Sequence, residues 1–237
     1  MIEKIIHYCW FGGNPLPELA VKCIDSWKKF CPDYKIIEWN EDNFNLEECA
    51  YVKEAYENKK WAFITDYVRL YVLYNYGGIY MDTDVEVIAS LDKFLDNKGF
   101  SGFENEESVP TGIMAAESGN PFIGDLLEDY KDRHFILEDG KMDMTTNVET
   151  ITNLAVNRGL KLNNTKQVIK DFTFYPKDYF CPKDSRTLKI KLTENTATIH
   201  HFAGSWGNQS GRKLKNFIKR LLGEKVSLFI SGHRKKK

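Results

Sequence analysis

Asp82 and Asp84 stand one residue apart in the run Gly77-Gly78-Ile79-Tyr80-Met81-Asp82-Thr83-Asp84-Val85. The apolar stretch before them reads as a strand leaving a Gly-Gly turn. In a strand, residues i and i+2 share a face. The two carboxylates are therefore predicted to aim at one spot while Thr83 turns away. Like charges held that close repel unless a cation lies between them. Mg²⁺ and Mn²⁺ prefer carboxylate oxygens and share their coordination with substrate phosphates. The segment thus predicts a metal–diphosphate site at the carboxyl end of a strand, where α/β sheets hold ligands. An Asp-x-Asp pair alone fits a solvated turn equally well, so its surroundings decide.

The element that must position this pair is the helix before it. From Trp61 to Tyr76 the apolar residues Phe63, Tyr67, Leu70, Tyr71, Leu73 and Tyr74 recur at helical spacing. Asp66 and Arg69, three apart, share one face of that helix. The same spacing fits an exposed ion pair of little worth. Gly77 and Gly78 end the helix as glycines commonly do, and a short connection brings its polar groups toward Asp82 and Asp84.

Thr65-Asp66-Tyr67-Val68-Arg69-Leu70, Leu73, Gly77-Gly78-Ile79-Tyr80 and Asp82-Thr83-Asp84-Val85 together resemble a known block, Ser-Asp-x-x-Arg-x-x-x-Leu-x-x-x-Gly-Gly-x-Tyr-x-Asp-x-Asp. It belongs to the glycosyltransferases with a sugar-binding DxD region. That family includes bacterial capsular polysaccharide transferases, fungal initiating mannosyltransferases and, more distantly, clostridial glucosylating toxins. Thr65 replaces the usual Ser and keeps its hydroxyl. The resemblance implies a GT-A type α/β fold and a nucleotide-sugar donor. It makes Asp66, Arg69, Asp82 and Asp84 the catalytic set, with Thr65 and Tyr80 beside the donor.

Two further segments extend the likeness. Ile6-His7-Tyr8-Cys9-Trp10-Phe11-Gly12-Gly13 resembles the family's opening strand, whose Trp stacks on the base. Composition alone reads Trp10 as a core aromatic; the resemblance moves it to the nucleotide. His7 is expected to be a hydrogen-bonded strand histidine. Thr198-Ile199-His200-His201-Phe202-Ala203-Gly204-Ser205-Trp206 resembles the closing His-x-x-x-Ser-Trp element. There a neutral imidazole suits Mn²⁺ as a third protein ligand, and His201 is expected in that role. Ser205 and Trp206 are expected to close over the diphosphate.

The implied chemistry is metal-dependent transfer of a hexose with retention at the anomeric carbon. Mn²⁺ or Mg²⁺ neutralises the leaving diphosphate, and Arg69 holds the donor. Asp66 reads sugar hydroxyls, Asp82 meets ribose or a metal-bound water, and Asp84 binds metal. No carboxylate nucleophile is evident, which favours front-face attack by the acceptor hydroxyl. UDP-galactose and UDP-glucose are the favoured donors, UDP-N-acetylhexosamine comes next and GDP-mannose is also allowed, with a surface or capsular oligosaccharide, free or lipid-linked, as acceptor. Two other classes fit paired Asp residues or abundant aromatics. One is a nucleotidyltransferase acting on sugar phosphates; the other is a non-catalytic carbohydrate-binding protein.

The chain has 237 residues, 42% of them hydrophobic, enough for one cored domain. Net charge is −1, but the stretch 211–237 carries ten basic residues against Glu224 alone. Within it Leu214, Phe217, Ile218, Leu221 and Leu222 line one helical face. A helix on an anionic membrane surface and a final helix docked on the domain stand level as readings. Nucleic acid is not expected, since no reading motif accompanies the charge. Five scattered cysteines suggest a reducing compartment, and no signal peptide is evident, so a cytoplasmic protein is expected. The expected organisation is one catalytic domain over 1–210 with a mixed central sheet, then the basic segment 211–237. Its order is strand, helix from Pro15 to Phe30, strand Tyr34–Trp39, helix Tyr51–Lys59, helix Trp61–Tyr76 and the DxD strand. Strands at Phe100–Glu104 and Thr111–Ala116 and helices at Pro121–Tyr130 and Val148–Asn157 follow. The last helix is preceded by Met144-Thr145-Thr146-Asn147.

Overall fold

The computed structural model describes residues 1–110 and 112–204. Ser205, Trp206 and the basic stretch 211–237 lie outside the described residues. The chain runs β1 (Ile5–Cys9), α1 (Glu18–Phe30), β2 (Lys35–Trp39), α2 (Ala50–Glu57), α3 (Trp61–Tyr76) and β3 (Gly78–Met81). It continues through β4 (Val85–Val87), β5 (Gly99–Gly102), β6 (Ile113–Ala116), α4 (Pro121–Glu128) and α5 (Asn147–Asn157). Last come β7 (Gln167–Ile169), β8 (Phe172–Tyr175), α6 (Lys177–Phe180) and β9 (Thr198–His200). The expected order holds, and element ends move by a few residues.

Seven strands form one mixed sheet in the order β2-β1-β3-β6-β5-β8-β7. β1 lies parallel to both β2 and β3. Their carboxyl ends therefore share one edge, which is where the DxD run emerges. β6 pairs antiparallel with β3 and β5, which makes the sheet mixed. Alternating side chains feed two cores. Cys9, Tyr80, Met114 and Phe174 pack with α2 to α5 on one face. Tyr8, Met81, Ala115 and Tyr175 pack with Ile24 and Trp27 of α1 on the other. Burial on both faces explains why these strands read as continuous apolar runs.

The expectation that Asp82 and Asp84 share a strand face is corrected by the structure. β3 ends at Met81, and Val85 N–H donates to Asp82 O at 3.0 Å across a turn. The turn, not the pleat, brings the two carboxylates together. It leads into β4, which pairs antiparallel with β9 as a separate two-stranded sheet. Three-residue strands such as β4, β7 and β9 carry too little periodicity to be read from sequence.

The turn from α3 to β3 is fixed by a buried histidine, as expected of His7. Trp39 Nε1–H donates to His7 Nδ1 at 3.0 Å, so the proton sits on Nε2, which donates to Gly77 O at 2.9 Å. Gly78 passes so close to β1 that a Cβ would stand 2.7 Å from Ile5 O. Its φ of +98° also favours glycine.

Burial holds the His7 pKa down to about 4 from 6.5. The unfolded chain takes up that proton near pH 6.5, whereas the folded chain resists until about 4, so acid destabilises the fold through this group. A His7→Gln variant should be less stable than the parent at pH 7.5 by about 1–3 kcal/mol. That gap should narrow by on the order of 3 kcal/mol between pH 6.5 and pH 4. Urea unfolding of both proteins at the two pH values measures it.

Candidate active site

α3 is apolar on almost every side, and the sheet buries it. Arg69 goes inside with it, only 7% exposed. A guanidinium there needs partners, and the structure supplies them. Arg69 Nη2 donates to Asp82 Oδ1 at 3.0 Å and lies 3.7 Å from Asp66 Oδ1. Its Cζ sits 4.6 Å from the centre of the Tyr80 ring, and Tyr80 OH donates to Asp82 Oδ1 at 3.3 Å. The exposed ion pair that spacing allowed is thus a buried cluster. Thr65, expected beside the donor, spends its hydroxyl on Trp61 O in its own helix, at 3.0 Å.

Across the turn, Asp84 accepts from Ala203 N at 2.6 Å and faces His200 Nε2 at 3.4 Å. Ligand atoms of Asp82, Asp84 and His200 all lie within 4.8 Å of one another. Two carboxylates and one imidazole form a donor set that suits Mn²⁺ or Mg²⁺. The expectation named His201; the structure brings in His200. β9 pairs Val85 with His200, and strand alternation turns His201 to the other side, where its Nε2 meets Glu86 at 2.8 Å.

The charges in the site respond to one another. Burial works to raise the Asp84 pKa, but the positive His200 ring and the Ala203 N–H outweigh it and hold Asp84 at about 2. Burial works to lower the His200 pKa, but Asp84 overrides it and draws the pKa well above 6.5. The imidazolium thus occupies, electrostatically, the place of a cation between carboxylates. Glu104 joins the group: its pKa is raised by burial and by the nearby charges of Asp82 and Asp84. Gly112 leaves the room these groups need, because a Cβ there would stand 3.2 Å from both Asp82 Oδ2 and His200 Cδ2.

Asp66 behaves differently. Burial pushes its pKa up to about 7 against the pull of Arg69. Beside it, Asn147 N–H donates to Asp66 Oδ2 at 3.4 Å. Arg69 Nε and Asn147 Nδ2 are buried without hydrogen-bond partners. Two waiting donors next to a carboxyl form a pattern that fits sugar hydroxyls, which both give and accept.

Trp10 directly follows β1 at the same sheet edge, buried, with Nε1 donating to Asn14 O at 2.5 Å. It lines an open cleft of about 830 Å³ together with Gly12, Tyr56, Trp61, Glu38 and Glu41. Sequence reasoning missed Glu104, Gly112 and the choice of His200. Only Glu104 left a signal, as the last residue of the strand expected at Phe100–Glu104.

An α/β sheet thus carries a cluster of carboxylate and imidazole groups able to hold a divalent cation at the edge where its parallel strands end. Residues 17–101 match the family model described as glycosyltransferase sugar-binding region containing DXD motif. Among curated proteins, inositol phosphoceramide mannosyltransferase 3 of Schizosaccharomyces pombe is 29% identical over 126 residues, 52% of this chain and 35% of the relative. Mannosyl phosphorylinositol ceramide synthase SUR1 of Saccharomyces cerevisiae is 30% identical over 139 residues, 55% of this chain and 35% of the relative. The chain thus spans about a third of the length of these relatives. Similar solved structures include the PaToxG glycosyltransferase, with TM-score 0.43, 22% identity, and 54% of this chain and 59% of that one covered. Another is the galactosyltransferase LgtC with donor and acceptor sugar analogues, with TM-score 0.47, 15% identity, and 85% and 88% covered.

The raised Asp66 pKa makes a stability prediction. Between about pH 4 and pH 7 the folded chain keeps a proton that the unfolded chain releases, so Asp66 costs stability as pH rises through 7. Asp66→Asn should therefore raise the melting temperature at pH 8, and the gain should shrink toward pH 4. Thermal unfolding of parent and variant across that range checks it.

Proposed function

We propose that this protein transfers a hexose from a nucleoside-diphosphate sugar to a hydroxyl of an oligosaccharide, with metal assistance and retention of anomeric configuration. The observation that carries the reading is the convergence of Asp82, Asp84 and His200 at the carboxyl edge of the sheet. A divalent cation held there supplies Lewis-acid neutralisation of the leaving diphosphate. Asp84 stays ionised throughout the physiological range and is the firmest anchor. Asp82 is aligned by Arg69 and Tyr80, which share its Oδ1. Asp66, the Arg69 Nε–H and the Asn147 amide bind sugar hydroxyls. Trp10 offers its ring to the base in the cleft. Ser205 and Trp206 complete the diphosphate pocket in this proposal on sequence resemblance alone.

Front-face attack by the acceptor hydroxyl fits a site in which every identified carboxyl already has another role. The donor is a hexose nucleotide: UDP-galactose and UDP-glucose stand first from the sequence, UDP-N-acetylhexosamine next, and GDP-mannose, also among the donors the sequence allows, gains weight from the mannosyl named in two relatives. A surface or capsular glycan on a lipid carrier is the proposed acceptor. A cytoplasmic setting draws support from five free cysteines. The basic stretch 211–237 is proposed to touch the anionic membrane carrying the acceptor. No helix among the described residues is long and apolar enough to cross a membrane.

Incubation with UDP- and GDP-sugars, with Mn²⁺ or with EDTA, should release nucleoside diphosphate from one donor only when Mn²⁺ is present. Asp84→Asn should slow that release about 10²–10³-fold, the scale of several kcal/mol lost from the leaving group. Pyrophosphate released instead from a nucleoside triphosphate supplied with a sugar 1-phosphate would mark nucleotidyl transfer. A variant with parental activity would remove the metal scheme.

A further inference from the structure

His200 presents two ring nitrogens to two different surroundings. Nε2 faces Asp84 in the metal cluster. Nδ1 is buried and has no hydrogen-bond partner. Glu104 Oε2 stands 3.9 Å from it, too far for a hydrogen bond. The Cys181 thiol also approaches the ring closely enough to interact with it, but without the geometry of a hydrogen bond to Nδ1. It points to Lys183 O at 3.9 Å, and sulfur accepts weakly. Phe202 covers the ring from 4.3 Å.

An imidazole that gives Nε2 to a metal must carry its proton on Nδ1, and that N–H then needs an acceptor. An unpaired buried N–H is costly. The backbone that carries Glu104 is already fixed. Glu104 N–H donates to Ser108 O at 3.0 Å, and the preceding Phe103 N–H donates to Tyr175 O at 2.9 Å. Asn105 Nδ2 donates to Ser108 Oγ at 2.7 Å across the same turn. Any closer approach of the carboxylate to Nδ1 therefore falls to the Glu104 side chain.

We propose that Glu104 is the positioning residue for His200, accepting the Nδ1–H so that Nε2 is held toward the metal between Asp82 and Asp84. The inference rests on the metal reading above and adds a residue to it. Glu104 touches neither donor nor metal in this account; it fixes the tautomer and the ring direction.

The test is Mn²⁺ binding to the purified full chain without nucleotide, read by electron paramagnetic resonance of free Mn²⁺. Thermal melting without metal serves as the folding control. Glu104→Ala should weaken Mn²⁺ binding about 10–100-fold, the usual effect of losing such a partner. Glu104→Gln keeps an acceptor oxygen and should stay within about threefold of the parent. An alanine variant that binds like the parent would overturn the proposal. So would a glutamine variant as weak as the alanine one, since charge and not the hydrogen bond would then be acting. A parent chain that binds no Mn²⁺ would overturn the metal reading itself, and the role of Glu104 with it.

Discussion

The buried guanidinium of Arg69 is the constraint on which the site depends. A charge that deep survives only if opposite charges and a π face come to it. Asp82, Asp66 and Tyr80 do so, and each belongs to a different part of the α3–β3 unit. The helix, the strand and the first carboxylate of the DxD run are thereby locked to one another. Asp82 spends Oδ1 on Arg69 and Tyr80, which leaves Oδ2 facing the space that Gly112 keeps clear. One oxygen serves the fold and the other remains for the chemistry.

Two carboxyls in this small volume are driven in opposite directions. Asp84, paired with His200 and capped by Ala203 N–H, stays ionised down to about pH 2. Asp66, buried with less compensation, is held near neutrality at about 7. Environments that push like groups apart commonly mark different roles. An always-ionised carboxylate suits a metal. A carboxyl that can give or accept a hydrogen bond near neutral pH suits sugar hydroxyls. The unpartnered donors Arg69 Nε and Asn147 Nδ2 lie on the Asp66 side of this division.

Much of the frame was legible because it follows from local rules. The α3 period, the Gly-Gly stop and the apolar run of β3 are each readable from neighbours in sequence, and the observed helix has the expected bounds. The turn that unites Asp82 and Asp84 was not readable, because a strand pleat predicts the same convergence by another geometry. The choice between His200 and His201 depends on the register of a three-residue strand against β4, a contact 115 residues distant in the chain for His201 and Glu86. Nothing local fixes that phase. Glu104 and Gly112 enter from the β5–β6 connection, and their approach to the carboxylates follows only once β6 is seen antiparallel to β3. Long-range register, rather than propensity, separates what was read from what was not.

The measurement that bears most directly on this account is the anomalous scattering of Mn²⁺ in crystals of the protein grown with the ion. The account predicts one strong peak within about 2.0–2.3 Å of an oxygen of Asp82 or Asp84 and of His200 Nε2. A peak at His201 and Glu86, or no peak while Mn²⁺ still supports transfer, would contradict it.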